Sequence, residues 1–135
     1  MAIAEDTLDA LKERAREAST HAYAPYSGFA VGAAVLTGDG TIHSSANVEN
    51  ASFGLSNCAE RNAIFQAVAQ GARRIEALAV FTATAAATTP CGACRQVLSE
   101  FGAGATVICF TADGSVERRY TLDDLLPDAF GPSSL

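Results

Sequence analysis

What this sequence lacks most is positive charge: it has a single lysine, Lys12, and its 9 Lys and Arg face 15 Asp and Glu for a net charge of −6. Binding to a nucleic-acid backbone draws on clustered Lys and Arg, and the pairs Arg73-Arg74 and Arg118-Arg119 are too small and too separated to form a stripe. No polynucleotide partner is expected. Long apolar runs are missing as well. The stretches Phe29 to Leu36 and Ala77 to Ala87 are too short or too threonine-rich to match the ~20 apolar residues of a membrane span. The acidic start shows no signal-peptide pattern, so a cytoplasmic protein without membrane contact is expected. Cysteine is scarce, with four residues, and clustered. In a cytosolic chain that clustering favours metal or redox chemistry over a disulfide framework. There is no repeat and no linker, and 135 residues with 49% hydrophobic content suit one domain spanning 1–135.

Hydrophobic periodicity supplies the elements. Ala4, Leu8, Leu11, Ala15, Ala18 and Ala22 recur at spacings of four and three, which predicts an amphipathic helix over 4–22 with Asp6 or Thr7 as its cap. After the break Tyr23-Ala24-Pro25-Tyr26-Ser27-Gly28, the apolar run 29–36 reads as a strand covered on both faces. Gly38-Asp39-Gly40 turns it back into a second strand over 41–46, making a hairpin. A polar loop over 47–56 leads into a helix over 57–70 that Gly71 ends. Strands follow at 75–82, 106–111 and 115–120. Between the first two of these lies a helix with Pro90 in its first turn and Cys94, Val97, Leu98 and Phe101 on one face. Thr121 caps a last short helix. Strands alternating with helices after a hairpin imply an α/β domain, α/β/α in three layers around a mixed five-stranded sheet. The third and fourth strands should run parallel, because a helix joins them.

Two short stretches carry the chemistry, Cys58-Ala59-Glu60 and Pro90-Cys91-Gly92-Ala93-Cys94. Three thiols and one carboxylate near the starts of two helices match a catalytic zinc site, which keeps three protein ligands and leaves its fourth position to water. The combination of C-A-E with P-C-x-x-C is the pattern of the zinc deaminases as a class. Helix starts offer free N–H groups and the positive dipole end, which favour thiolates. Three thiolates around a dication leave a net charge of −1, and Arg61 or Arg95, each beside a cluster, is placed to offset it through hydrogen bonds to sulfur, Arg61 the more so. Glu60 has a second reading as the partner of Asn57 in a capping box. Cys109, inside the apolar stretch 106–110, reads as a core residue. Neither His21 nor His43 has ligand spacing to a cysteine cluster.

The segments Tyr23-Ala24-Pro25-Tyr26-Ser27-Gly28-Phe29-Ala30-Val31-Gly32-Ala33-Ala34, Asn47-Val48-Glu49-Asn50-Ala51-Ser52-Phe53, Cys58-Ala59-Glu60-Arg61 and Pro90-Cys91-Gly92-Ala93-Cys94-Arg95-Gln96-Val97-Leu98 together resemble the small homotetrameric cytidine deaminases. The resemblance covers nearly the whole chain. It implies one zinc per chain and hydrolysis of cytidine and 2′-deoxycytidine to uridine and 2′-deoxyuridine with release of ammonia, in pyrimidine salvage. It further implies Cys58, Cys91 and Cys94 as ligands, Glu60 as proton shuttle, Asn47 and Glu49 on the ribose, Phe29 as an aromatic wall and the backbone of Ala59 on the base. Phe130 resembles the C-terminal aromatic that reaches a neighbouring subunit's site. Phe53 stands where the family often has tyrosine, so no hydroxyl is available there.

Asn47 and Glu49 carry a reading of their own. Spaced i, i+2 in extended backbone, they point the same way and can converge on one polyol; the bland alternative is that they cap or solvate the loop. Three rival functions remain open from the residues alone. A deaminase of the same fold acting on an aminonucleoside antibiotic such as blasticidin S is one, although the loop Asn47-Val48-Glu49-Asn50 favours the ordinary nucleoside. A structural four-cysteine zinc site that includes Cys109 is another. The third is a redox pair formed by Cys91 and Cys94, which leaves Cys58 and Glu60 without a role.

Overall fold

The structure, a computed structural model, describes residues 2–135. Its first helix, α1 (Glu5–Ser19), buries Leu8, Leu11, Ala15 and Ala18 along one stripe, as the spacing requires. The expected side-chain cap is absent. Ala4 occupies the N-cap, and Glu5 and Asp6 fall in the first turn, where their charges complement the helix dipole. The helix also stops at Ser19, three residues short of the expected end.

Five strands follow in one sheet: β1 (Val31–Thr37), β2 (Ile42–Ala46), β3 (Ile75–Thr82), β4 (Thr106–Thr111) and β5 (Glu117–Thr121). Their spatial order is β2-β1-β3-β4-β5. β1 runs antiparallel to both β2 and β3, β4 runs antiparallel to β5, and β3 and β4 are parallel. The mixed sheet is therefore as expected, and the parallel pair is bridged by α3 (Gly92–Phe101). β1 begins at Val31, two residues later than its apolar run, because Phe29 lies in a loop whose backbone pairs with the Asn47 side chain instead of a strand.

Alternation along the central strands divides the core in two. Val31, Ala33, Val35, Leu78, Val80, Val107 and Cys109 pack with Ala63, Ile64 and Ala67 of α2 (Ala59–Ala69) and with Leu98 of α3. Ala34, Leu36, Ala77, Ala79, Phe81, Ile108 and Phe110 pack with Leu8, Leu11 and Ala15 of α1. Helices thus cover both faces, which is why β1 and β3 are apolar at nearly every position. Gly32 permits the closest approach in this packing: a Cβ there would lie 1.9 Å from the Ala15 carbonyl oxygen and 2.7 Å from the Ser19 nitrogen. A short α4 (Leu122–Leu125) follows β5, and the Asp124 carboxylate accepts from the Thr121 N–H at 3.0 Å.

The register brings four chain positions to one edge of the sheet. Val31 at the start of β1 pairs with Thr82 at the end of β3, Thr82 with Thr111 at the end of β4, and Gly32 with Ala46 at the end of β2. Loops 23–30, 47–58 and 83–91 all leave from this edge, and the functional residues lie on them.

Candidate active site

Cys58 and Cys91 are the N-cap residues of α2 and α3, both in extended backbone and neither forming a side-chain cap. Cys94 lies one turn into α3. Sγ atoms of the three cysteines all lie within 4.8 Å of one another. Cys58 and Cys91 are 3.9 Å apart, and Cys91 and Cys94 are 3.5 Å apart. A tetrahedral zinc with Zn–S bonds of ~2.3 Å holds two sulfurs roughly 3.8 Å apart, so the thiols already stand near the spacing the ion demands. The donors are soft and converge from two helix ends, and both facts fit zinc.

Hydrogen bonding from Cys94, followed by the Arg61 guanidinium, holds the Cys58 thiol down at about 5 against its partial burial. The same contact with Cys58, together with burial, pushes the Cys94 thiol up. Arg61 donates to Cys58 Sγ at 3.4 Å, which is the sulfur contact expected of it. Arg95 does something else. Its guanidinium donates to the Pro90 carbonyl at 2.7 Å, the Leu125 carbonyl at 2.8 Å and Thr89 Oγ1 at 3.1 Å, so it braces the segment before Cys91 against α4. Pro90 itself precedes the N-cap of α3 and is not part of the first turn, a correction to the expectation from sequence.

Cys109 stays apart from the cluster. It is fully buried in β4 opposite Val80, and burial pushes its thiol up to about 12. Among the described residues, the group able to hold a metal contains Cys58, Cys91 and Cys94 and leaves Cys109 out, so a four-cysteine site does not form.

Glu60 is 5% exposed on the first turn of α2. The capping box that competed for it is not made: Cys58 holds the N-cap position, and the Asn57 amide donates to Asn62 Oδ1 at 2.6 Å. Burial lifts the Glu60 carboxyl to about 7, close to the value at which one group can both accept and return a proton. A carboxyl so placed beside convergent thiols in a cavity marks a reactive centre.

That cavity has a volume of about 350 Å³. Its thiol end is formed by Cys58, Ala59, Glu60 and Cys91, and its other walls by Val31, Val80, Thr88 and Thr89. Away from the thiols, Ser27, Glu49 and Ser56 stand where the cavity meets a neighbouring hollow lined by Tyr26 and Phe53, and Phe29, Asn47 and Asn57 complete the lining. Asn47 is largely used by the fold. Its Oδ1 accepts from the Val31 N–H at 2.9 Å and its Nδ2 donates to the Phe29 carbonyl at 2.8 Å, leaving one donor and one acceptor site free. Glu49 Oε1 accepts from the N–H groups of Tyr26 and Ser27 at 3.0 and 3.1 Å, and Oε2 accepts from the Ser27 hydroxyl. Ser27, Ser56, Thr88 and Thr89 have no role in the sequence expectations, because they look like ordinary turn and loop residues, and Asn57 enters there only as a cap partner of Glu60. Phe130 does not reach this cavity. It is 61% exposed, and its carbonyl accepts from Gln96 Nε2 at 3.0 Å on the outer side of α3.

Comparison with known proteins follows the same lines. Residues 5–110 match the family described as the cytidine and deoxycytidylate deaminase zinc-binding region. The chain is 44% identical over 129 residues to the cytidine deaminase of Sporosarcina psychrophila, spanning 95% of this chain and 94% of that one. With the cytidine deaminase of Halalkalibacterium halodurans it shares 46% identity over 121 residues, 89% of this chain and 91% of the other. Among solved structures, the cytidine deaminase from Burkholderia pseudomallei superposes with a TM-score of 0.85 at 50% identity, over 90% of this chain and 98% of that one.

Proposed function

The chain belongs to the cytidine deaminase family, and from that premise we propose that Cys58, Cys91 and Cys94 hold one catalytic zinc per chain while Glu60 carries protons. The observation that carries this reading is a buried carboxyl beside three convergent thiols, two of which, Cys58 and Cys91, line the same cavity as the carboxyl. Zinc, when bound, supplies the Lewis acidity that makes a water nucleophilic at neutral pH. The chain's own residues do the rest. Glu60 accepts a proton from the attacking water, whose oxygen bonds to C4 of the cytosine ring. It passes that proton to N3, then takes the second proton from the new C4 hydroxyl and hands it to the amino group, so that the C4–N bond breaks with loss of ammonia and the C4 carbonyl of uridine forms. Proton transfer by a positioned group is typically worth about 10²–10⁴-fold in rate. Arg61, donating to Cys58, offsets the negative charge that three thiolates leave on the site.

Phe29 lies against the nucleoside, the backbone of Ala59 faces the base, and the free valences of Asn47 and Glu49 meet the sugar. Three hydrogen bonds already reach Glu49, leaving one of its four lone-pair sites for a substrate hydroxyl. A single hydroxyl contact supports 2′-deoxycytidine as a substrate beside cytidine. The family also includes deaminases of a nucleotide, deoxycytidylate. Phosphate recognition calls for Arg or Lys, and among the described residues those lining the cavity include no Arg, Lys or His. A nucleoside is therefore the better substrate, and pyrimidine salvage in the cytoplasm is the setting it suits.

The proposed assembly is a homotetramer with shared sites. Tyr26, Phe53 and Leu55 are exposed beside the cavity mouth, with the rings of Tyr26 and Phe53 5.8 Å apart, and such a patch favours coverage by another chain. Phe130, exposed and outside its own cavity, is free to enter a neighbour's; light scattering should find four chains. The test of activity is the ultraviolet loss of cytidine by the purified protein with and without a zinc chelator. Turnover should stop with chelation and return with added zinc, whereas chelator-resistant turnover would refute the zinc assignment.

A further inference from the structure

The segment just before Phe29 holds a hydroxyl with two partners and no role so far. Ser27 Oγ accepts the Phe29 N–H at 3.0 Å and donates to Glu49 Oε2. Because the Phe29 N–H occupies a lone pair of the hydroxyl, its proton is left to point at the carboxylate. The backbone of the same turn holds the other oxygen: Glu49 Oε1 takes the N–H groups of Tyr26 and Ser27. Gly28, at φ +67°, allows the turn to close with its N–H on the Ala24 carbonyl at 2.9 Å. One short turn therefore fixes both the carboxylate and the start of the aromatic wall. We propose that Ser27 is a positioning residue that aims the Glu49 carboxylate at the sugar and couples it to Phe29, and so sets affinity for sugar hydroxyls. The proposal rests on the reading that Glu49 binds the sugar.

The alternative orientations available to a half-buried glutamate at a cavity wall show why a clamp matters. Glu49 has three rotatable side-chain bonds, and without Ser27 its Oε2 would be free to turn to water, so ordering it would be charged to substrate binding. The lowered pKa of Glu49, with the Ser27 hydroxyl as its main cause, agrees that the bond favours the charged acceptor.

The experiment measures kcat and KM with cytidine and with 2′,3′-dideoxycytidine, whose sugar lacks the hydroxyls at issue, for the wild type, Ser27→Ala, Ser27→Thr, Glu49→Gln and the Ser27→Ala/Glu49→Gln double variant. Thermal melting and zinc content are taken on the same samples. Loss of one hydrogen bond to a charged group predicts that Ser27→Ala raises KM for cytidine about tenfold while kcat holds. Dideoxycytidine kinetics should change much less than those of cytidine, since only the smaller contact of Ser27 with the Phe29 backbone bears on that substrate, Ser27→Thr should recover the wild-type KM, and the double variant should be no worse than Glu49→Gln. Equal losses on both substrates, additive losses in the double variant, or a Ser27→Thr as impaired as Ser27→Ala would overturn the proposal. If Glu49→Gln alone leaves cytidine kinetics intact, the sugar-binding reading itself fails. If Glu49→Gln is impaired and Ser27→Ala is not, only the role given to Ser27 falls.

Discussion

The two ends of the cavity are held by different means. At the thiol end, Cys58 and Cys91 start helices whose next turns are sunk in the core: Ala59, Glu60, Ala63 and Ile64 on α2, and Cys94 and Leu98 on α3, are all buried. At the proposed sugar end, Ser27, Phe29, Asn47 and Glu49 stand on loops and are held by hydrogen bonds within and between those loops and to the start of β1. The chemistry proposed for the site is thus tied to the global packing, and the proposed recognition of the sugar to a local network. A protein built this way can lose either one without the other.

Substitutions at each end test that separation. The largest effect is expected at the thiol end, where Cys58→Ala should weaken metal binding by more than the ~10–100-fold typical of losing an outer partner, and remove turnover with it. Metal analysis and cytidine loss on the same sample check this, and a variant that keeps its zinc would break the comparison. Next comes the sugar end. Asn47→Ala unpairs the Val31 N–H and the Phe29 carbonyl, so it should cost about 1–3 kcal/mol in a denaturant melt and raise KM for cytidine, with zinc retained. A fall in zinc content would mean that the two ends are not separable. The smallest effect is expected from Cys109→Ala, which shortens a core side chain outside the cluster. It should cost about 1 kcal/mol and leave zinc and turnover unchanged; zinc loss would bring a fourth sulfur into the site.

Much of the fold could be read from periodicity, because both faces of the central strands are covered and their apolar runs are correspondingly plain. Five strands, the hairpin and the parallel pair across α3 all follow from that pattern and from Gly and Pro punctuation. Element ends were less legible, since they depend on partners distant in sequence. Asp6 and Thr7 looked like caps but lie inside α1, and Asn57 and Glu60 matched a capping box, but Cys58 takes the N-cap and the Asn57 amide goes to Asn62. The clustering of Cys58, Cys91 and Cys94 was legible from their motifs. By contrast, the double bridge of Asn47 requires knowing that 29–31 runs beside 47, and the clamp of Ser27 on Glu49 spans 22 residues, so neither has a local signature. The three bonds of Arg95 to Thr89, Pro90 and Leu125 are hidden for the same reason.

The central claim is that Glu60 acts on protons and is not a helix cap, and Glu60→Gln tests it most directly. The amide keeps the shape of the side chain and cannot carry the proton. Zinc content, melting temperature and the ultraviolet loss of cytidine are measured on one preparation. The account predicts that the variant keeps its zinc and its fold and loses about 10²–10⁴-fold in kcat. Turnover near that of the wild type would contradict it.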